Sequence, residues 1–303
     1  MSEIFTSTAA LALKETLEAI DTDDMGSEGS KAVFTKWMNV KSMADNYVEY
    51  YEIAGSGLAG EKPEGESIPV GTIYEGPLTR FNARTYGQRM IVSDEALEDL
   101  KYDKVVQAAK RNNRSLWKLA DFDATLVLAR ATNSSFVGGD LKELASTAHV
   151  LPGGGTYSNM LATAMSPSKA AVVIAAAQCM QQVGHDGLID GVEIKKVVFP
   201  VQQWGVWREL LGSSNDPTPG AFNAINVVNR DLDITPVPVK YWTNTTTNWA
   251  FITDADLGLM WFWRRKPKSN TWVTEDKTMM NYGITARWSR GWVNPRAILF
   301  SNA

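Results

Sequence analysis

Cysteine, histidine and long apolar runs are scarce in this sequence of 303 residues, which has one Cys and two His. A single cysteine excludes a disulfide framework, and two histidines provide few ligands for zinc sites and few groups for histidine-driven catalysis. The longest apolar run, residues 170–177, is far shorter than the ~20 residues of a membrane-spanning helix. We therefore expect no metal, no cofactor and no insertion into a membrane.

The net charge is small as well, since 30 basic and 34 acidic residues leave a formal net charge of −4. That balance argues against a protein whose main work is to grip nucleic acid phosphates. The charge is divided unevenly: residues 1–70 hold 13 acids and 5 bases, whereas the remaining residues hold 21 acids and 25 bases. We expect an acidic N-terminal arm that lies on a mildly basic surface, of another copy for instance; the alternative is a solvated, poorly ordered terminus.

Aromatic residues are plentiful, with 11 Trp, 10 Phe and 9 Tyr. They exclude a disordered chain, because together with the aliphatic residues they can bury a sizeable core. Seven of the Trp follow Tyr241. Such a set can form a sugar platform or a stacking surface for nucleic acid bases, but Trp in strands more often belongs to a core or a subunit interface. We predict core or interface for these seven.

Two strand-like segments, residues 47–53 and 77–92, enclose residues 55–71, which are rich in Gly, Pro, Glu and Ser. This pattern predicts a projecting β-hairpin with a long polar tip. A helix is predicted to begin at Ser93, which can cap it, and to continue in helical register to about Ala131. A second helix is predicted to begin at Ser166, and a strand over residues 224–228. The mixture indicates an α+β fold.

No motif has the spacing of a catalytic or ligand site. The glycines at 153–155 are not followed by the Lys and Ser/Thr of a phosphate-binding loop, so they predict a turn. Cys179 lacks a nearby base, because His185 lies beyond the predicted end of its helix. His149 and His185 have no metal-binding spacing. We predict no catalytic, cofactor-binding or metal-binding residues, and no enzyme.

The order of these elements resembles the major capsid proteins of tailed bacteriophages, whose fold is of the Hong Kong 97 type. Residues 89–100, Arg-Met-Ile-Val-Ser-Asp-Glu-Ala-Leu-Glu-Asp-Leu, are similar to the passage from that family's extended loop into its spine helix. Residues 135–141 and 151–159 look like the segment after the spine helix, and residues 207–212 like an axial-domain helix. Residues 287–296 resemble the closing strands of the peripheral domain. The resemblance covers residues 47–303.

The resemblance implies an α+β fold with five segments. An N-terminal arm would comprise residues 1–46, and an extended β-hairpin loop residues 47–90. Residues 91–162 would form a peripheral domain with the spine helix, and residues 163–257 a mixed α/β axial domain. Residues 258–303 would return to the peripheral domain.

The function implied by the resemblance is self-assembly, as hexamers and pentamers, into an icosahedral shell around packaged double-stranded DNA. Its implied partners are further copies, a portal protein, a scaffold or cement protein where one is needed, and DNA through weak, non-specific contact only. The chain would be made in the cytoplasm of a host bacterium and would end in the virion.

Alternatives remain at this point. A shell protein of an encapsulin-like compartment shares the fold, and an aromatic-rich ligand-binding or enzyme domain is a further alternative. Some members of the capsid family also join subunits by Lys–Asn isopeptide bonds. Lys62 is the sole lysine between residues 46 and 90 and therefore the sole candidate there; the simpler interpretation is a solvated lysine that keeps the hairpin tip soluble.

Overall fold

The structure is a computed structural model that describes residues 31–54, 57–71, 73–93, 102–184, 186–215, 224–243, 247–274 and 279–302. Most of the predicted acidic arm, residues 1–30, therefore lies outside the described residues. The strands are β1 (Asn39–Ser42), β2 (Tyr47–Tyr50), β3 (Ile53–Ala54), β4 (Tyr74–Glu75), β5 (Thr79–Asn82), β6 (Arg84–Ser93), β7 (His149–Val150), β8 (Thr156–Tyr157), β9 (Ile194–Pro200), β10 (Thr235–Val239), β11 (Trp249–Thr253), β12 (Leu259–Val273), β13 (Met279–Trp292) and β14 (Ile298–Ser301). The helices are α1 (Tyr102–Ala129), α2 (Lys169–Met180), α3 (Trp204–Gly212) and α4 (Val227–Asp231).

The long helix α1 packs on a four-stranded sheet of order β1-β12-β13-β6. β1 runs parallel to β12, and the other neighbours are antiparallel. One face of α1 is buried at four-residue intervals, at Leu116, Ala120, Ala124 and Leu128. Two small alanines at the middle of this face leave room for the bulky tryptophans of the sheet, so helix and sheet form one close-packed core.

A second sheet has the order β10-β9-β11-β14. Its central strand β9 includes Val197, Val198 and Phe199, each without exposed surface, because the sheet is covered on both faces. On one face lie α2 and α3, with Trp207 fully buried in that core. Val198 instead belongs to the core beneath α1, so the two cores share this sheet. The mixed sheets and segregated helices confirm the predicted α+β class.

Two local predictions are wrong. The second helix begins at Lys169, after Ser168, whose hydroxyl accepts a hydrogen bond from the Ala171 amide at 3.1 Å; Ser166 is not the cap. Residues 224–228 do not form a strand, because the Asn226 side chain accepts from the Val228 amide and so caps α4. Asparagine that bonds its own backbone two residues on favours a cap over a strand. The predicted helix start after Ser93 falls on residues 94–101, which lie outside the described residues.

Candidate assembly interface

The predicted hairpin is present, built from β2 paired with β5 and from β3 paired with β4. The strands approach closely at Gly76, whose amide donates to the Glu52 carbonyl at 2.6 Å. A Cβ atom at Gly76 would lie 3.1 Å from that oxygen, so glycine suits this position. The predicted strand 77–92 is divided at Ala83. Its first part is β5 of the hairpin, and its second part, β6, pairs with β13 in the main sheet.

The base of the hairpin is anchored on the main sheet by aromatic rings. Tyr50 stacks on Phe262 of β12 with 5.4 Å between ring centroids, and Phe81 lies 4.9 Å from the same ring. Backbone contacts add to this anchor. A Cβ atom at Gly139 would lie 2.7 Å from the Leu78 carbonyl oxygen, which shows how closely this loop approaches β5. The hairpin base is therefore part of the folded subunit.

The hairpin tip, residues 57–71 and 73, has no such cover. Every residue of this range is exposed. Its apolar side chains include Leu58 at 84%, Ile68 at 74% and Val70 at 96% exposure. Full burial of one such side chain is worth roughly 1.5–3 kcal/mol. The tip thus carries apolar surface that only another molecule can cover.

A buried ion pair joins α1 to β13 beside the hairpin base. Arg290 donates to Asp123 Oδ1 at 2.6 Å, and the Trp288 indole donates to Oδ2 at 2.8 Å. The Tyr86 ring stacks on Trp288 with 4.1 Å between centroids. Burial lowers the pKa of Arg290, and the nearby Asp123 carboxylate opposes that shift. The pKa of Tyr86 is raised, mainly by burial and also by Asp123. The network holds α1 and the sheet strands β6 and β13 together.

The first described segment of the chain is tied to α1 by one carboxylate. Asp121 Oδ1 accepts hydrogen bonds from the amides of Val33, at 2.8 Å, and Phe34, at 3.0 Å. Burial raises the pKa of Asp121, and the two amides counteract the shift. The Phe34 ring lies 4.4 Å from that of Trp261. The chain therefore enters the described structure at the middle of the long helix.

The seven C-terminal tryptophans divide unequally between core and surface. Trp242, Trp249, Trp261, Trp263 and Trp288 are buried within the subunit. Trp292 is partly buried, and Trp272 is 40% exposed. The prediction of core or interface is confirmed as core for five of the seven, and these rings offer no platform to a sugar or a base.

The remaining residues that the sequence analysis considered as candidates have structural surroundings that explain them. Gly154 and Gly155 have φ angles of 98° and 92° and form the turn between β7 and β8. Cys179 is buried in α2, and burial raises the pKa of its thiol to about 12, so it is not an activated nucleophile. His149 is buried and contacts Asp140 at 2.6 Å. Lys62 is exposed in the hairpin tip, and His185 lies outside the described residues.

In the described part of the chain, no group of three or more His, Cys, Asp or Glu side chains is placed to hold a metal ion. Among its helices, none combines the length and the apolar character that a bilayer crossing requires.

Solved capsid structures share this fold. The capsid of the cyanophage P-SCSP1u superposes with a TM-score of 0.55 at 12% identity, over 87% of this chain and 85% of that chain. The structure from Microbacterium phage Oxtober96 gives 0.54 at 10% identity, over 89% and 90%. The crystal structure of a virus-like particle from Pyrococcus furiosus gives 0.53 at 9% identity, over 94% and 97%. At these identities the likeness concerns the fold alone. No curated protein matches the sequence.

The family match goes further than the fold. The model of the family described as Phage capsid protein matches residues 78–300, well over half of the chain. The matched range runs from the hairpin base through α1 and both sheets to β14. It does not favour the encapsulin-like or the enzyme alternative. The chain belongs to this family of phage capsid proteins and is a major capsid protein, a structural component of the virion shell.

Proposed function

We propose that this chain assembles as hexamers and pentamers into an icosahedral shell that encloses packaged double-stranded DNA. The observation that carries the proposal is the hairpin, whose base is anchored in the subunit while its apolar tip is uncovered. A subunit of this shape gains stability when the tip is buried on a neighbour. Contacts between different surfaces of identical subunits close into rings when the rotation allows it.

The five segments defined in the sequence are part of this proposal. Residues 1–46 act as an arm, residues 47–90 as the extended hairpin loop, residues 91–162 and 258–303 as the peripheral domain, and residues 163–257 as the axial domain. The helix α1 is then the spine, and the second sheet with α2 and α3 belongs to the axial domain.

The shell has a defined set of partners in this proposal. A portal protein is one partner, and a scaffold or cement protein acts where the shell needs one. Contact with DNA is weak and non-specific, because a net charge of −4 disfavours a wall that binds phosphates. The subunit is made in the cytoplasm of the host bacterium, and it has no catalytic residue.

Assembly of the recombinant protein tests the proposal. We expect a large fraction on size exclusion and closed particles by electron microscopy, whereas a chain that stays monomeric under all assembly conditions would contradict it. The double variant Leu58→Asp/Val70→Asp should fold but remain unassembled, since the tip then carries two charges into an apolar contact. Ile189→Asp is the matched control, because Ile189 is 72% exposed outside the hairpin. DNA-filled rather than enzyme-filled native particles are expected.

A further inference from the structure

Basic residues follow one another along the exposed face of α1. Lys104, Arg111 and Lys118 stand seven residues apart, Arg114 lies between the last two, and all four are exposed. Residues seven apart on a helix are two turns apart and share a face. The buried face of α1, to which Leu116 belongs, packs against the sheet, so the basic face points away from it. We call these four residues the basic stripe.

The acids of α1 do not balance this stripe. Between residues 104 and 129 the acids are Asp121 and Asp123. Asp121 accepts hydrogen bonds from two backbone amides, and Asp123 is paired with Arg290. Among the described residues, no acid lies at salt-bridge distance from the two lysines of the stripe or from Arg111. The stripe is therefore a cationic surface on a chain whose net charge is negative.

The described chain begins beside one end of the basic stripe. The Val33 amide donates to Asp121, which follows Lys118 by three residues and so lies about one helical turn beyond it. Residues 1–30 precede this anchor, and they hold seven acids against one base. A segment of opposite charge is thus attached to the chain next to the stripe.

The acidic segment is long enough to reach every member of the stripe. Lys104, the member farthest from the anchor, is separated from Asp121 by about 25 Å along the helix axis, at a rise of 1.5 Å per residue. Asp24 precedes Val33 by nine residues. A chain of that length spans up to about 30 Å, so carboxylates near the anchor can meet the whole stripe.

Apolar side chains lie at the same end of the stripe. Leu119 is 36% and Phe122 43% exposed, next to Lys118 on α1. In the acidic segment, Leu13 and Leu17 come shortly before the acids at positions 21, 23 and 24. The segment can therefore cover the apolar surface as well as the charges, whereas a DNA backbone would neutralise the charges and leave the apolar surface uncovered.

We propose that the acidic segment, residues 1–30, docks on the basic stripe of α1 in the same chain. A segment tethered this close has an effective concentration on the order of mM at the stripe, so it binds there ahead of polyanions from solution. The docked segment neutralises the stripe and competes with nucleic acid phosphates for it. The inference goes beyond the proposed shell function, because the contact forms within a single subunit.

The mobility of the N-terminus in the unassembled full-length chain tests the docking. A dye is attached to Ser2→Cys, while the buried Cys179 stays unlabelled in native protein. We expect the dye anisotropy to be independent of protein concentration and to fall at high salt and in the stripe variant Arg111→Glu/Lys118→Glu. Arg208→Glu, at an exposed position in α3, is the matched control and should leave the anisotropy unchanged.

Two results of this measurement would overturn the inference. An anisotropy that the stripe variant does not lower would show that the segment does not dock on the stripe. An anisotropy that falls on dilution would show that the segment binds a second copy instead. Arg111→Gln/Lys118→Gln, which removes the two charges without reversing them, gives the same readout if the stripe variant does not fold.

Charge exchange provides the second readout. The segment variant Asp21→Lys/Asp23→Lys/Asp24→Lys should lower the anisotropy as the stripe variant does. Combining the two sets should restore it at least in part, because the reversed charges again attract. Restoration is not expected if each set acts by damaging the fold, so an anisotropy that stays low in the combined variant counts against the inference.

Binding of a short labelled DNA duplex at low salt gives the third readout. Asp21→Asn/Asp23→Asn/Asp24→Asn should bind the duplex about tenfold more tightly than the unaltered chain, because the stripe is then uncovered. Adding Arg111→Gln/Lys118→Gln should abolish this gain. If the unaltered chain already binds DNA through the stripe and the Asn variant binds no more tightly, the stripe is a phosphate site and the inference is wrong.

Discussion

Removal of the Asp123 carboxylate should destabilise the subunit strongly. In Asp123→Ala, the Arg290 guanidinium loses its ion-pair partner while its side chain is only 19% exposed. The Trp288 indole and the Tyr86 hydroxyl, which are 2.8 and 3.4 Å from Asp123 Oδ2, lose their acceptor at the same time. Three donors are then left in or beside the core without a partner.

The magnitude follows from the cost of an uncompensated buried charge. Breaking a buried ion pair by removing one partner costs about 3–5 kcal/mol. An indole donor left without an acceptor contributes about 1–3 kcal/mol, and this overlaps with the first figure because the same carboxylate serves both groups. We therefore expect a loss of about 3–5 kcal/mol in the free energy of unfolding. A domain is commonly stable by only about 5–15 kcal/mol, so the variant should be close to unfolding.

Urea unfolding of the unassembled subunit, followed by tryptophan fluorescence, measures this loss. The double variant Asp123→Ala/Arg290→Met should recover much of it, because no unpaired charge remains. Asp231→Ala is the matched control: Asp231 pairs with Arg230 at the surface, and its removal should leave the unfolding midpoint unchanged. A loss below about 1 kcal/mol in Asp123→Ala, or a double variant whose losses simply add, would refute the reasoning.

Three further predictions concern the hairpin and the core. Gly139→Ala places a Cβ atom 2.7 Å from the Leu78 carbonyl oxygen and should cost about 1–3 kcal/mol in urea unfolding, whereas Gly205→Ala, in α3 with open space, should be neutral or stabilising. The Cys179 thiol loses its proton near pH 9.0 in the unfolded chain but only near pH 12 in the folded chain, so the free energy of unfolding should fall as pH rises from 9.0 to about 12. Thiol reagents should label Cys179 only upon unfolding, and fast labelling of native protein would contradict this. Mature particles boiled in detergent should give one monomer band; a ladder that Lys62→Arg abolishes would instead establish a cross-link.

How much of the fold could be predicted from the sequence depended on whether the signal for each element lay within the element itself. The hairpin could be predicted because Gly, Pro and Glu at its tip cannot form a core. The long helix and the strands at β9, β11 and β13 followed from apolar periodicity. The strand expected at residues 224–228 failed because the Asn226 side chain also bonds the Leu210 carbonyl, a contact from outside the segment. That partner helps to fix a helical cap where the local pattern favours an extended chain.

A cluster of four arginines that line one cavity beside the hairpin base shows the limit of sequence reasoning about the site. Its members stand at positions 80, 84, 130 and 290, and no local spacing connects them. Only the pairing of β6 with β13, together with the contacts of α1 with both strands and of β5 with β13, brings their side chains to one place. The buried Asp123 that orients Arg290 is likewise an ordinary helical residue in the sequence.

The sequence by itself determined the α+β class, the projecting hairpin, the poverty of catalytic side chains and the unequal division of charge. These are properties of composition and of short-range pattern, which can be recognised without knowledge of the fold. The tertiary structure decided that five of the seven C-terminal tryptophans are core rather than interface. It also brought four arginines that lie far apart in the sequence to one cavity. Both depend on contacts between residues far apart in the chain, which only the packing of helix on sheet creates.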